Sequence, residues 1–149
     1  MIILFDNFKF YKKGLNIAYS GVIIDSKSKE LLLSTFIYPN SNFSDWIKIS
    51  HHLTICMGEL PEHLKRYWLD EKVILTATHI GISDKAVAVK ISEFFNISKW
   101  DDEENRFPHI TLAINPIDAK PVDSNKIVDW QEIKPLKLKG VVKEIPGTL

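Results

Sequence analysis

"WIKISHHLTICMG" at residues 46–58 is the stretch on which the fold turns. Apolar and polar residues alternate along it and Gly58 closes it, the pattern of a strand with one buried face. On a strand, residues two apart share a face and adjacent residues face opposite ways. His52 and Thr54 therefore project together, while Leu53 and Ile55 anchor the other face in a core. The same parity puts Trp46 and Ser50 on the His52 side. It turns His51 away, into a packed or supporting position.

A second stretch repeats the phrase. "PHITL" at 108–112 places His109 beside Thr111 and backs them with Ile110 and Leu112. The remaining chain supplies further elements of both kinds. Strands are expected over 15–25, 72–81, 86–91, 108–114 and 136–145. Helices are expected over 26–36, with Ser26 and Ser28 as N-cap candidates, over 59–69 behind Pro61, and over 123–133. Residues 92–107 begin helical and become an acidic loop, and "ISDK" turns a hairpin between 72–81 and 86–91. Without a regular strand–helix alternation, these elements predict an α+β protein with mainly antiparallel sheet. Each half, roughly 1–71 and 72–149, carries one motif strand, which suggests a duplication within a single domain.

The composition narrows the possible partners. The chain has 149 residues, 45% of them hydrophobic, and nineteen basic residues balance nineteen acidic ones. That balance gives no global field for gripping a long nucleic acid, although it leaves a local anion pocket open. One cysteine, Cys56, excludes an internal disulfide framework and a multi-cysteine zinc site. The N-terminal "MIILFDNFKFYKKG" lacks the marks of a signal peptide, and no apolar run approaches the ~20 residues of a membrane span. These features predict a cytoplasmic protein with no membrane partner.

Two imidazoles and two hydroxyls on rigid strands suit phosphodiester chemistry. A base must deprotonate the attacking oxygen and an acid must protonate the leaving oxygen; histidine does either near neutral pH. Threonine hydroxyls donate to the non-bridging oxygens as charge builds there. Such a site calls for no metal and no cofactor. His63 and His79 stand outside the pattern, and no histidine set has zinc-ligand spacing.

Paired His-x-Thr-x phrases of this kind resemble the two-histidine phosphoesterase superfamily. Within it, "AYSGVIIDSKSKELLL" followed by "WIKISHHLTICMG" looks most like the phage enzymes that degrade cyclic di- and trinucleotide immune signals. The resemblance implies two similar lobes of antiparallel sheet with outer helices, related by a pseudo-two-fold axis around a central cleft. It also implies that His52 and His109 are the general acid and base, in either order, and that Thr54 and Thr111 hold phosphate oxygens. The substrate would be a cyclic oligonucleotide or a short RNA-like molecule, met in the host cytoplasm by a monomer if the protein is phage-encoded. The alternatives are an RNA-processing enzyme acting on 2′,3′-cyclic phosphates or 2′–5′ links, and a non-catalytic nucleotide-binding module.

Nucleobases need a π-face to stack on. Tyr19, ahead of the small Ser20-Gly21 pair, is the first candidate, and the resemblance favours an aromatic on this strand. Trp68, in "KRYWLD" near Lys65 and Arg66, and Trp46, at the start of the motif strand, are two more. Trp100 and Trp130 read as core or loop aromatics. Glu144 shares parity with Leu136, Leu138 and Val142, so its carboxylate needs a partner such as a base amino group or a histidine.

Overall fold

The computed structural model describes residues 16–92 and 107–147. The helical start and acidic loop expected over 92–107, Trp100 included, lie outside these residues except at Ser92 and Phe107. Strand β1 (Ile17–Ile24) leads into helix α1 (Ser26–Leu32), which continues as a π-helical turn over Leu33–Ile37. Asp25 is the N-cap, its carboxylate accepting the Ser28 N–H at 2.8 Å, so neither Ser26 nor Ser28 caps the helix. The Ser28 hydroxyl instead accepts the Lys139 N–H at 2.8 Å and ties the helix to the sheet.

Then follow β2 (Ile47–Lys48), β3 (His52–Met57), α2 (Glu62–Trp68), β4 (Lys72–Ile82), β5 (Ala86–Ile91), β6 (His109–Ile114) and β7 (Trp130–Pro146). The β4–β5 turn lacks an Asn-Gly pair because Ser83 does the work: its hydroxyl accepts the N–H groups of Lys85 and Ala86, each at 3.1 Å. Among the described residues no helix is long and apolar enough to cross a membrane.

The strands run antiparallel in the order β6-β3-β1-β7-β4-β5, and β5 pairs back onto β6. The sheet is thus a closed six-stranded barrel, with β2 added on β6. This corrects the expected pair of lobes with outer helices. The first half contributes two neighbouring staves of the wall and the second half four, so neither half encloses a core of its own. One interior cluster takes a residue from every stave: Val22, Leu53, Leu75, Val89, Ile110 and Leu138 are all fully buried. Leu32, Leu33 and Ile37 join it from the helix and its π-turn. At roughly 1.5–3 kcal/mol for each large apolar side chain buried, this shared interior is the main source of stability.

Two further differences explain the closure. The helix expected over 123–133 is a short 3-10 turn, Pro121–Lys126, after which the chain extends and joins β4 with Trp130 opposite Gly81 and Glu132 opposite His79. Strand pairing overrides the weak helical pattern there. The resulting 17-residue β7 stitches β1 to β4, and Pro135 is accommodated where the β4–β7 register shifts. On both sides of β1 the backbones approach closely. A Cβ on Gly21 would lie 2.4 Å from the Leu53 carbonyl oxygen, and one on Gly140 would lie 2.7 Å from that of Ile23.

Candidate active site

The expected strand 46–58 is interrupted. β2 pairs Ile47 with Ile114 and Lys48 with Ala113, whereas β3 pairs Leu53 with Ile110. Between those pairs the chain spends two residues more than β6 does. Ser50 absorbs the excess at φ 44°, a left-handed conformation that costs a non-glycine residue on the order of 1 kcal/mol or more. Its N–H still donates to the Thr111 carbonyl at 3.0 Å, so the two strands stay joined through the interruption.

Beyond the interruption, the parity of both motifs orients them alike. Leu53, Ile55, Ile110 and Leu112 face the interior and are fully buried. His52, Thr54, His109 and Thr111 lie on the outer face of the wall. The Leu53–Ile110 pair places His52 alongside Thr111 and Thr54 alongside His109. The two histidines are therefore diagonal neighbours on adjacent strands, a relation that typically separates residues by about 7–8 Å. A phosphate group fits within that spacing.

Each imidazole has its own setting. The His109 Nδ1 lies 3.0 Å from the Phe107 carbonyl oxygen, which only accepts, so Nδ1 carries hydrogen and the lone pair of the neutral ring is on Nε2. The Phe107 ring flanks it at 5.5 Å. Tyr19 stacks on His52 with centroids 4.6 Å apart and planes 26° from parallel. Burial pushes the Tyr19 phenol up. The His52 Nδ1 contacts the His51 Nδ1 at 3.0 Å. Burial first, and then the neighbouring charges of His51 and His109, push the His52 pKa down to about 4.

His52 is therefore neutral at pH 7, and its protonation links stability to pH. The folded-state value lies below the ordinary value of ~6.5, so the unfolded chain binds the proton more tightly. Stability contributed by the neutral ring is present above about pH 6.5 and is lost as pH falls toward 4. For this partly exposed ring the loss is on the order of 1–3 kcal/mol. Urea midpoints at pH 7 and pH 4.5 should differ less in His52→Gln than in the wild type.

The two threonines are not equivalent. Thr54 is half-buried beside His109. Thr111 is buried under the 121–126 turn, where its hydroxyl shares a 2.8 Å hydrogen bond with the Ser124 hydroxyl and donates weakly to the Pro121 carbonyl at 3.4 Å. In this arrangement Thr54 is the better placed of the two to reach a phosphate oxygen.

Of the four candidate substrate contacts, Tyr19 reaches the site, lying over His52. Trp46 and Trp68 are half-buried and pack against the interior cluster, Trp46 also against Phe43 at 4.8 Å. Glu144 faces inward opposite Ser20, its side chain only 4% exposed. Its Oε2 accepts the Leu60 N–H at 3.2 Å and pairs with Lys65 at 3.3 Å. The partner that its buried register demanded is thus a lysine and a backbone amide. The Ser20-Gly21 pair brings the neighbouring strand close: the Ser20 hydroxyl is buried and donates to the Gly58 carbonyl at 2.7 Å.

The structure brings one further residue to the site. Lys90 lies opposite His109 on β5 and on the same outer face. Its ammonium sits 5.0 Å from the Phe107 ring centroid and 4.9 Å from that of Trp130, and those rings meet edge-on at 5.2 Å. Two cation–π contacts hold a positive charge beside His109. A lone cation in the otherwise apolar "AVAVKI" is the sequence signal for it. Trp130 accordingly acts as a support for this charge as well as packing against the small cluster of Ala86, Ala88, Ile114 and Ile127.

On the other side of His52 the outer face continues through Ile23, its register partner on β1, to Val141 on β7. There a groove of about 700 Å³ has an apolar floor that includes Ile23, Ile74 and Val141, rimmed by Lys72, Lys139 and Lys143. Lys143 is engaged by Asp70 at 2.8 Å. Among the described residues no three His, Cys, Asp or Glu side chains gather as ligands for a metal ion.

Comparison of the chain with protein-family models and with curated proteins returned no match.

Proposed function

We propose that the protein is a phosphodiesterase that cleaves a 3′–5′ ribonucleotide link by acid–base catalysis between His52 and His109, with a cyclic di- or trinucleotide as substrate. The observation that carries this reading is the diagonal pair of imidazoles on adjacent strands of one wall, flanked by Thr54 and Lys90. The resemblance of the two His-x-Thr-x phrases to the two-histidine phosphoesterases points the same way. It also supports the biological setting: a phage enzyme that removes a cyclic-nucleotide alarm in the host cytoplasm.

The settings of the two rings support a division of labour. His52 is neutral at pH 7 and takes the proton from the ribose 2′-hydroxyl. The freed 2′-oxygen attacks the adjacent phosphorus, and the bond from phosphorus to the 5′-oxygen breaks. His109 gives its Nε2 proton to that departing oxygen. Its Nδ1–H bond to the Phe107 carbonyl stabilises the cationic ring it starts from. Thr54 and Lys90 stabilise the extra charge on the phosphate oxygens during the transfer. The product carries a 2′,3′-cyclic phosphate, which water opens when the two histidines exchange roles. The groove beyond Ile23 offers an apolar floor and cations to the rest of the nucleotide.

Incubation in EDTA with cyclic di- and trinucleotides, and separately with RNA ends bearing 2′,3′-cyclic phosphate, tests the proposal. Cleavage of the cyclic nucleotides is expected. Cleavage of the RNA ends alone would move the protein to RNA processing, and binding without cleavage would make it a nucleotide-binding module. Lys90→Met should lower kcat about 10–100-fold, in the range found for removing a single electrostatic stabiliser or somewhat below it. Circular dichroism should show the fold unchanged.

A further inference from the structure

Strand β3 begins at His52, so strand alternation does not fix the direction of His51, which follows the left-handed Ser50 (φ 44°). The backbone is held on either side: the Ser50 N–H donates to the Thr111 carbonyl, and the His51 carbonyl accepts the Ile24 N–H at 3.1 Å. The His51 ring meets the ring of His52. The two rings stand nearly perpendicular, 80° apart in plane and 5.2 Å between centroids, with Nδ1 to Nδ1 at 3.0 Å.

Two imidazole nitrogens at that distance share one hydrogen, since one must donate and the other accept. If both Nδ1 atoms carried hydrogen, the contact would become repulsive. His52 is held on another side by the stacked Tyr19 on β1. His51 is exposed, with its Nδ1 against His52.

We infer that His51 is a positioning residue whose Nδ1 accepts the Nδ1–H of His52, holding His52 in the tautomer that carries its lone pair on Nε2. This rests on the reading of His52 as the base of a phosphodiesterase. A base oriented by a third group through its far nitrogen follows the logic of catalytic triads, here with an imidazole in place of a carboxylate. When His52 takes the substrate proton on Nε2, its Nδ1–H stays directed at the His51 Nδ1, so the ring keeps its orientation through the transfer.

The test is ¹⁵N NMR of the imidazole nitrogens in the wild type, His51→Phe and His51→Asn, recorded without substrate at neutral pH. The wild type should show His52 protonated on Nδ1. In His51→Phe, which keeps a ring but no acceptor, the hydrogen should move substantially to Nε2. In His51→Asn, whose side-chain oxygen can accept, Nδ1 protonation should recover. With the cyclic dinucleotide, His51→Phe should lose kcat about 10–100-fold with little change in KM, and His51→Asn should regain most of it. An unchanged His52 tautomer in His51→Phe overturns the inference. Because the spectra need no substrate, that failure is distinct from a failure to cleave nucleotides, which would overturn the phosphodiesterase reading alone.

Discussion

His52→Ala and His109→Ala are each expected to reduce single-turnover cleavage of a cyclic dinucleotide by about 10³-fold, within the 10²–10⁴-fold range of general acid–base catalysis. In the proposed mechanism the two rings serve one proton transfer, so the double variant should be little worse than either single one. Substrate affinity should fall far less than turnover, because Thr54, Lys90 and the groove beyond Ile23 remain. Thermal melting separates chemistry from folding. His109→Ala leaves the interior cluster untouched, and His52→Ala removes a ring from the outer face and frees Tyr19, so both should melt cooperatively. A variant that folds, binds and still turns over at the wild-type rate would remove that histidine from the mechanism.

Gly21→Ala should have the largest effect on stability. The added Cβ meets the Leu53 carbonyl oxygen at 2.4 Å, and that oxygen belongs to backbone locked between β1 and β6. No side chain can rotate away to make room, so the β1–β3 pair must part. A loss of about 2–4 kcal/mol is expected, at the upper end for overpacking because the obstacle is main chain. Equilibrium urea unfolding measures it. Gly147→Ala is the control: its nearest neighbour would be 3.6 Å away, an ordinary contact, and its midpoint should not move appreciably. The separation of β1 from β3 should also disturb the Tyr19–His52 stack, so turnover should fall together with stability.

The local parts of this architecture were legible in the sequence. The period of two that puts Leu53 and Ile55 inside and His52 and Thr54 outside is a property of the backbone, and it survives whichever strand lies alongside. The same holds at His109 and Thr111, and along β7, where Leu138 and Val142 turn inward with Glu144 while Lys137, Lys139 and Lys143 turn outward. Closure into a barrel depends on which strands pair, a non-local choice that no short window encodes. Thus "VDWQEI" reads as the start of a helix until β4 offers it an edge to pair with.

Elsewhere the departures trace to single atoms or angles. Strand β3 starts only at His52, after the left-handed Ser50, so parity does not reach His51, whose ring meets that of His52. Glu144 did require a partner, but whether Lys65 or a ligand would provide it depended on where α2 came to rest. Thr111 obeys its strand parity and is nevertheless covered, because the turn at 121–126 folds over it.

The pH dependence of kcat/KM for a cyclic dinucleotide, in EDTA, tests the central claim most directly. A base that must be neutral and an acid that must be protonated give a bell-shaped profile. His52, with its depressed pKa, should set the acidic limb and His109 the alkaline one. The residual activity of His52→Ala should lack the acidic limb, and that of His109→Ala the alkaline limb. A profile without two limbs, or one that neither substitution changes, would contradict the pairing of these two histidines as base and acid.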